Sequence, residues 1–460
     1  MNSKEQVDFP EAFIKNVKKA FPDQHQEMLA AILKQPKTSI RFNKKKIPPE
    51  GHLPIQNKIA WSDAGYFLTE RPSFTTDPLF HAGCYYPQEA SSMFLDFILK
   101  QIYSDNSSKN VLDLCGAPGG KSTLLADFFD DESFILSNEV INSRAGILHQ
   151  NMTKWGRINT HVSNSDPKVF SKINNFFDLI LIDAPCSGEG LFRKDSKAVQ
   201  EWSLDNVNLC SLRQKRIVSD VLPALKEDGF IIYSTCTFNE DENIKNLEFF
   251  CNELDLTPVL LENVPDYVFK KQAKTKKGET IEGYHFLPHL VEGEGFFVGI
   301  LKKKDSNNSK TFQKKTKPSK TPHAKIELPF DFDKEKYVLE LKNQLVVTHL
   351  KTHQQAIHYL KTSINFIKTG LMLGEIKGKD FVPSQELALS IDFKNKFPSL
   401  DLNLEQAISY LKKADFKLDT KEIKKGFYLV KYLDYPLGFI KVIPGRFNNL
   451  YPKNWRILKT

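Results

Sequence analysis

Residues 111–127 read VLDLCGAPGGKSTLLAD and contain an apolar run, a glycine-rich turn and the start of a helix. The apolar residues at 111–114 predict a buried strand, and residues 122–126 predict the first turns of the helix. In such a corner, backbone N–H groups of the turn and of the helix N-terminus are unpaired and face outward. The stretch therefore predicts a cofactor site, and the rest of the sequence has to identify the ligand.

Two common cofactor motifs match this turn only in part. The tripeptide GKS at 120–122 ends like a P-loop, but a P-loop also needs glycine at position 115, which is Cys115. The spacing GAPGG at 116–120 does not form the G-x-G-x-x-G pattern of dinucleotide sites, and Pro118 stiffens the turn in a different way. Nucleoside triphosphates and dinucleotides are therefore not the favoured ligands.

Two acidic residues follow the next two predicted strands. Glu139 comes directly after the apolar segment 134–138, about 20 residues beyond the glycine turn, where a carboxylate can hold a ribose diol. Asp166 follows the segment 159–162 and is placed to accept a hydrogen bond from an adenine amino group. Each acid alone is more often a surface charge. Their order, one after each successive strand, predicts S-adenosylmethionine as the cofactor.

Two cysteines follow two further predicted strands. The segment 177–188, FDLILIDAPCSG, places Asp183 and Cys186 at one strand end, and the segment 230–238, FIIYSTCTF, places Cys236 at another. A lone cysteine in such a position is most often a small core residue. Enzymes that methylate exocyclic amines carry an aromatic residue where Cys186 stands. Two thiols at one sheet edge therefore indicate a target that needs a thiol.

Methylation of a pyrimidine carbon gives the two thiols a common purpose. C5 becomes nucleophilic when a thiolate adds at C6, and loss of the C5 proton later expels the thiol. A carboxyl group near N3, a role for Asp183, relieves the charge that builds on the ring. The residues by themselves leave open which of Cys186 and Cys236 attacks.

Composition places the chain among globular proteins of a reducing compartment. Its 460 residues carry 64 lysines and arginines against 56 acids, and this net charge of +8 indicates a nucleic-acid partner. The six cysteines form no C-x-x-C pair, so neither a disulfide framework nor a metal site is expected. No signal peptide or membrane span is predicted, which favours a cytoplasmic location without a membrane partner.

The order of predicted elements indicates an α/β fold with flanking domains. Residues 105–303 alternate strands with the helical segments 143–155 and 198–225, which is typical of a doubly wound sheet. Its predicted strands are 111–114, 134–138, 159–162, 177–182, 229–234 and 296–301. Residues 1–104 form a smaller α+β domain, and a lysine-rich linker at 304–325 precedes a C-terminal binding region at 326–460. Within that region we predict a helix at 404–411 and strands at 427–433 and 438–442.

Several motifs together resemble the Nop2/NSUN/Rsm family of RNA 5-methylcytosine methyltransferases. The most specific are LDLCGAPGGKS (112–122), DLILIDAPCSGEGLFRKD (178–195) and YSTCTFNEDEN (233–243). Other similar segments are the region of Glu139 and Arg144 and residues 36–43, 163–167 and 283–301. Residues 370–376, 381–384, 435–438 and 451–453 resemble the PUA-like tail of bacterial RsmF-type enzymes, which modify small-subunit ribosomal RNA.

This resemblance implies a Rossmann-like class I methyltransferase sheet, an N-terminal RNA-binding domain and a PUA-like C-terminal region. It implies that Cys236 is the covalent nucleophile and that Cys186 assists proton loss and product release. Asp183 completes the expected catalytic set. The residues expected to contact S-adenosylmethionine are Cys115, Gly116, Ala117, Pro118, Gly119, Gly120, Lys121, Glu139, Asp166 and Asp183.

The expected substrate is a cytosine of 16S ribosomal RNA that leaves its stack to enter the site of a monomeric enzyme. Transfer RNA and 23S ribosomal RNA are alternative substrates for the same chemistry. A ribosome-assembly factor that binds RNA is the alternative of another class, and the intact Cys186, Cys236, Asp183 and glycine loop argue against it. A P-loop hydrolase is the most distant interpretation.

Overall fold

The structure is a computed structural model, and it describes residues 8–105, 107–304, 333–378, 380–393, 396–418 and 423–458. The predicted linker at 304–325 lies outside these residues, apart from Lys304. The described helices are α1 (Glu11–Ala20), α2 (His25–Ile32), α3 (Pro78–Ala82), α4 (Leu95–Ile102), α5 (Gly120–Phe128), α6 (Asn142–Trp155), α7 (Ser196–Glu201), α8 (Leu204–Val221), α9 (Ile244–Glu253), α10 (Gln354–Leu360), α11 (Gln385–Leu389) and α12 (Leu404–Lys412).

The described strands form one large sheet and three small ones. In chain order they are β1 (Ser39–Phe42), β2 (Ile55–Lys58), β3 (Gly65–Leu68), β4 (Tyr85–Pro87), β5 (Asn110–Asp113), β6 (Phe134–Asn138), β7 (Thr160–Ser163), β8 (Phe177–Asp183), β9 (Leu225–Thr235), β10 (Leu256–Pro258), β11 (Phe269–Lys274), β12 (Thr280–Phe286), β13 (Phe296–Lys303), β14 (Tyr337–Lys342), β15 (Leu345–Leu350), β16 (Phe366–Lys368), β17 (Leu371–Lys377), β18 (Asp380–Pro383), β19 (Ser399–Asp401), β20 (Gly426–Tyr432), β21 (Tyr435–Ile443) and β22 (Arg446–Asn449).

The large sheet has the strand order β11-β12-β13-β9-β8-β5-β6-β7-β16, with β10 paired to β13. Strands β5 to β9 run parallel to one another, and β13 joins β9 in the antiparallel direction. Successive residues of the central strands alternate between two cores. Leu112 and Ile180 face one core, whereas Val111 and Leu181 face the other. The predicted doubly wound sheet is confirmed, and the polar hairpin β11–β12 extends it further than predicted.

The prediction of one continuous helix at 198–225 is wrong. The structure has two helices, α7 and α8, with Trp202 and Ser203 between them. Ser203 has an extended backbone, and its hydroxyl accepts a hydrogen bond from the Asn206 N–H, so it caps α8 and starts a new helix. The predicted helix at 143–155 is confirmed as α6, which ends at Gly156 in the left-handed region with φ of 87°.

The N-terminal region combines two helices with the antiparallel sheet β2-β3-β1-β4. Its first helix, α1, buries Phe13 and Val17 against Phe192 and Trp202 of the large-sheet region. Phe9, Phe13, Val17 and Phe21 recur at near-helical spacing, which gives the helix this apolar face. The contact places the N-terminal region beside the loop that follows β8.

The C-terminal region contains the antiparallel sheet β14-β15-β17-β18 and the sheet β19-β20-β21-β22. The helix and the two strands predicted there are confirmed as α12, β20 and β21. The short strand β16 leaves this region and pairs antiparallel with β7, where Phe366 lies opposite Ser163. No helix in the described part of the chain is long and apolar enough to cross a membrane.

Candidate active site

The carboxyl ends of β5, β6, β7, β8 and β9 surround a cavity of about 410 Å³. Parallel strands end at one edge of a sheet, and ligands of such sheets bind outside that edge. The cavity brings together most of the predicted site residues, namely Cys115, Ala117, Glu139, Asp166, Asp183, Cys186 and Cys236. The remaining predicted residues, Gly116, Pro118, Gly119, Gly120 and Lys121, do not line it.

The glycine loop is held in place from below by buried polar groups. The Gly116 N–H donates to the Asn138 carbonyl at 2.7 Å, and a Cβ on Gly116 would lie 2.9 Å from the Ser122 hydroxyl. That hydroxyl donates to the Asp113 carboxyl at 2.6 Å. Burial raises the pKa of Asp113 to about 7. Gly116 thus allows the loop to pack closely against β5, and it does not line the cavity. Only glycine fits at this position, because a Cβ would clash with the Ser122 hydroxyl.

Glu139 and Arg144 connect the loop to the opposite wall of the cavity. The Glu139 side chain is 4 % exposed, accepts a hydrogen bond from the Ile141 N–H at 3.0 Å and lies 3.5 Å from the Arg144 guanidinium. Arg144 also donates to the Ala117 carbonyl at 2.9 Å. Val140 and Ile141 lie beside this acid and are about half exposed at the cavity wall. Apolar side chains beside a buried carboxylate fit the base and the ribose of an adenosyl group.

Asp166 lines the same cavity, but its carboxyl already has a backbone partner. It accepts from the Lys168 N–H at 2.9 Å and caps the short 3₁₀ helix Pro167–Lys172. A carboxylate oxygen accepts more than one hydrogen bond, so the cap leaves capacity for a ligand amino group. The apolar wall and the carboxylates of Glu139 and Asp166 together fit the adenine and ribose of S-adenosylmethionine, because each carboxylate can accept from a hydroxyl or amino group of the ligand.

Lys121 reaches Asp183 instead of the cavity wall. Its ammonium lies 2.8 Å from one oxygen of the Asp183 carboxylate, and the Ser234 hydroxyl donates to the other oxygen at 2.8 Å. Burial alone lowers the pKa of Lys121, but the ion pair with Asp183 raises it overall, so the ammonium stays charged. A fixed positive charge therefore lies beside a carboxylate that lines the same cavity as the thiols.

The two predicted thiols meet at the cavity. The Sγ atoms of Cys186 and Cys236 are 3.1 Å apart, and the Cys236 N–H points at the Cys186 Sγ at 3.4 Å. Both cysteines are free thiols. The hydrogen bond with Cys236 and burial raise the pKa of Cys186 well above its usual value. This shift disfavours the thiolate form of Cys186.

Two buried glutamates, here called the carboxylate brace (Glu189 and Glu242), tie the two thiol-bearing loops together. Glu189, in the loop after β8, accepts from the Phe238 N–H at 2.9 Å. Glu242, after β9, accepts from the Ser187 N–H at 3.0 Å and from Gln214 at 2.8 Å. Each loop thus supplies a carboxylate that binds the backbone of the other loop. The brace fixes the position of one thiol relative to the other.

Sequence reasoning missed the brace and the wall that α8 adds. Arg213, Arg216 and Ile217 of α8 line the cavity beside the thiol loops. Their spacing of three and four residues puts them on one side of a helix, and this periodicity was the available signal. The brace had no comparable signal, because Ser187 and Glu242 are 55 positions apart.

This fold and this cavity define an S-adenosylmethionine-dependent methyltransferase. Three family models match the chain: 16S rRNA methyltransferase RsmB/F at residues 101–302, the N-terminal domain of 16S rRNA methyltransferase RsmF at 9–90, and the methyltransferase RsmF PUA domain at 397–457. The chain belongs to this RsmB/F methyltransferase family. The predicted Rossmann-like methyltransferase sheet, N-terminal domain and PUA-like region are thereby confirmed, and so is the cofactor.

Relatives match the chain over nearly its whole length. A ribosomal RNA small subunit methyltransferase F of Erwinia tasmaniensis is 29 % identical and covers 98 % of this chain and 98 % of its own. A protein of the same description from Escherichia coli is 28 % identical over 97 % of this chain and 96 % of its own. The coverage of these matches is therefore not confined to the catalytic region.

Solved structures show the same fold over about two thirds of the chain. A methyltransferase homolog from Pyrococcus horikoshii has a TM-score of 0.54 and 24 % identity, covering 65 % of this chain and 96 % of its own. NSun6 from Pyrococcus horikoshii, solved with the cofactor analogue SFG, has a TM-score of 0.53 and 16 % identity, covering 66 % of this chain and 100 % of its own.

Proposed function

We propose that the protein transfers a methyl group from S-adenosylmethionine to C5 of a cytosine in small-subunit ribosomal RNA. The observation that carries this proposal is the pair of free thiols, 3.1 Å apart, beside Asp183 at the cofactor cavity. Two thiols are needed when one forms a covalent bond to the ring and the other assists its departure. The descriptions of the relatives support ribosomal RNA of the small subunit as the substrate.

Cys236 is the attacking thiol in this proposal. The hydrogen bond with Cys236 and burial raise the pKa of Cys186, which disfavours its thiolate and makes it less suited to attack. The resemblance of the segment 233–243 to the RNA methyltransferases supports the same assignment. The Cys236 thiolate adds to C6 of the cytosine, and the electron pair of the C5–C6 double bond moves into the ring.

Asp183 and Lys121 act on the charge that this addition creates. Asp183 lines the cavity and holds the Lys121 ammonium beside it, so that ammonium can donate to O2 of the ring and stabilise the negative charge. When bound, S-adenosylmethionine supplies an electrophilic methyl carbon whose sulfonium leaves as a neutral thioether. C5 forms the new carbon–carbon bond and then loses its proton to water. The C6–S bond breaks, and the Cys186 S–H hydrogen-bonds to the departing Cys236 thiolate.

The test uses unmodified small-subunit ribosomal RNA transcribed in vitro, with transfer RNA and 23S ribosomal RNA as parallel substrates. Bisulfite sequencing should find one protected cytosine in the small-subunit RNA after incubation with S-adenosylmethionine. Cys236→Ala should abolish transfer and leave cofactor binding unchanged. Cys186→Ala should accumulate a protein–RNA adduct that survives denaturant, because the bond to C6 still forms but is not released.

Cys251→Ala removes a thiol outside the cavity and serves as the control with unchanged activity. Methylation by Cys236→Ala would show that another group attacks. An adduct in Cys236→Ala combined with none in Cys186→Ala would mean that the two thiols have the opposite roles. Protection in transfer RNA or 23S RNA alone would change the substrate while leaving the chemistry intact.

A further inference from the structure

A second cleft, with a volume of about 470 Å³, lies between the N-terminal region and the large-sheet region. The N-terminal region contributes Lys37, Arg71, Gln88 and Glu89, and the loops near the thiols contribute Lys194 and Glu294. A space of this size accommodates one nucleotide with its phosphate. None of these six residues lines the cofactor cavity, so the cleft is a separate site.

Two observations place the cleft close to the catalytic centre. Lys121 pairs with Asp183 at the cavity, and the charge of Glu89 in the cleft also contributes to the raised pKa of Lys121. On the other side, Gly190 donates its N–H to the Cys236 carbonyl, and a Cβ on Gly190 would lie 3.3 Å from the Glu294 carbonyl. The thiol-bearing loops thus separate the two spaces by the thickness of one chain segment.

The cations of the cleft differ in how they are paired. Lys194 forms an ion pair with Glu294, and Lys37 forms one with Glu292 at 2.5 Å. Arg71 is exposed, and its guanidinium lies over the Phe74 ring, 5.3 Å from the centroid. Among the residues that the structure describes, no carboxylate pairs with Arg71. Its planar fork is therefore available to an incoming phosphate.

The acids of the cleft form a rigid wall. Glu89 accepts hydrogen bonds from the N–H groups of Ser91, Ser92 and Glu294, at 2.9, 2.8 and 3.0 Å. These bonds tie the N-terminal region to the loop before β13. Glu294, whose backbone is fixed in this way, lines the cleft with a carboxyl group. One oxygen of this group pairs with Lys194, and the other can accept from the amino group of a base. Cations at the rim and an acceptor at the wall match the phosphate and the base of one nucleotide.

We propose that this cleft binds the nucleotide adjacent to the target cytosine, with its phosphate on Arg71 and its base against Glu294. The proposal rests on the proposed function, because it assumes an RNA substrate. A target base that is flipped into the cavity leaves its neighbours at the rim, where they need a separate binding site. The cleft lies next to the thiols and holds the cations that such a neighbour requires.

The test measures binding and contact position with the full chain. The probe is a single-stranded RNA of about 12 nucleotides that contains one cytosine, with 4-thiouridine placed directly before or directly after it. Irradiation of the wild type should cross-link one of these two positions to a peptide that contains Arg71 or residues 35–39. Arg71→Glu should weaken binding of the unlabelled RNA about 10-fold and lower the slope of log affinity against log salt by about 1.

Lys58→Glu is the matched control, because Lys58 is an exposed cation of the same region on β2 and lies outside the cleft. Equal losses of affinity in Arg71→Glu and Lys58→Glu, or cross-links only to other peptides, would overturn the cleft proposal even if the wild type forms 5-methylcytosine. A selective loss in Arg71→Glu by a protein that forms no 5-methylcytosine would support the cleft and contradict the proposed chemistry. A wild type that binds no RNA would contradict both.

Discussion

Two sets of buried ionisable groups in this protein differ in type, since one set is acidic and the other is basic. The carboxylate brace (Glu189 and Glu242) joins two loops of the large-sheet region beside the thiols. A second set of buried polar groups, here called the junction (Lys46, and separately the hydrogen-bonded pair His161 and His353), joins that region to the N-terminal and C-terminal regions. Burial raises the pKa of Glu242 to about 7 and lowers the pKa of Lys46 to about 8. In both networks, burial favours the neutral form of the group.

The junction consists of the Lys46 ammonium and of two imidazoles that are hydrogen-bonded to each other. The Lys46 ammonium donates to the carbonyls of Ala82, Lys154 and Leu389, one in each region, at 3.0, 2.8 and 2.7 Å. The Gly370 N–H donates to Nδ1 of His161, so Nε2 of that ring carries the proton and donates to His353 at 3.1 Å. His353 in turn donates to the Glu132 carbonyl at 2.9 Å. Both rings are therefore neutral.

The difference lies in what each network positions. The brace fixes two reactive sulfurs that lie 3.1 Å apart, whereas the junction fixes whole regions of the chain against one another. A small displacement within the brace changes the geometry of the reaction, and reacting atoms tolerate little error. We therefore expect changes in the brace to affect activity more than stability, and changes in the junction to do the reverse.

The largest expected effect is that of Glu242→Ala on methyl transfer. The substitution leaves the Ser187 N–H and the Gln214 amide without their shared acceptor, so the loop that carries Cys186 is free to move. We expect kcat to fall about 100-fold, as for a misplacement of about 1 Å in a catalytic group. Single-turnover transfer of a radioactive methyl group measures this loss.

Glu242→Gln is the matched variant, because an amide oxygen can accept the same two hydrogen bonds. It should keep most of the activity, since the raised pKa of Glu242 shows that the site tolerates an uncharged group. If the alanine and glutamine variants lose activity equally, the charge of Glu242 matters rather than its hydrogen bonds. If neither variant loses activity, the brace does not position the thiols.

The fold was predictable where local pattern decides it. The strands β6 and β8 contain the apolar runs 134–136 and 179–182, and β5 contains Val111 and Leu112. All of these residues are buried, as expected for central parallel strands. The hairpin β11–β12 was not predictable, because its first strand alternates exposed lysines with half-buried residues and reads as a surface segment. The strand β16 has three residues and exists only because the C-terminal region docks on β7.

The candidate site likewise has residues whose positions could be predicted from the sequence and residues whose positions could not. The positions of Glu139, Asp166 and Asp183 follow from the rule that strand ends share one edge, so their common cavity could be anticipated. The role of Lys121 as a partner of Asp183 could not, since the helix N-terminus alone does not determine where a long side chain points. The brace depends on two loops that are distant in sequence, and a single sequence gives no information on such a pairing.

In the junction, Lys46→Met should reduce stability without a matching loss of activity. The substitution preserves the length of the side chain but leaves three buried carbonyls without a donor. We expect the free energy of unfolding to fall by about 2 kcal/mol, since the relief from a buried charge offsets part of the lost hydrogen bonding. Urea unfolding, together with kcat measured on the folded fraction, separates the two quantities.

Lys45→Met is the control for this variant, because Lys45 is the exposed neighbour of Lys46. It should leave the midpoint of unfolding unchanged. A fall in kcat of Lys46→Met as large as that of Glu242→Ala would remove the distinction between the two networks. It would indicate that the arrangement of the three regions reaches the thiols directly.

The smallest expected effect is a pH dependence of stability from the junction. Burial lowers the pKa of His353 from 6.5 to about 4, so the unfolded chain binds a proton at a pH where the folded chain does not. The contribution of His353 to stability is therefore fully present above pH 6.5, its ordinary pKa, and is lost as the pH falls toward 4. Between about pH 7.5 and about pH 5.5 this histidine should account for about 1 kcal/mol of lost stability.

His353→Gln tests this assignment, because an amide can still accept from His161 and donate to Glu132 but does not titrate. Urea unfolding of the variant should change less with pH than that of the wild type, while His358→Gln, an exposed histidine of α10, serves as the control. Glu242→Gln should have the opposite effect, because the raised pKa of Glu242 makes its contribution fall as the pH rises from 4.5 through about 7. For each variant, the slope of the free energy of unfolding against pH is compared with that of the wild type. Changes of slope with the same sign in both variants would show that the two networks do not respond to protons in opposite directions.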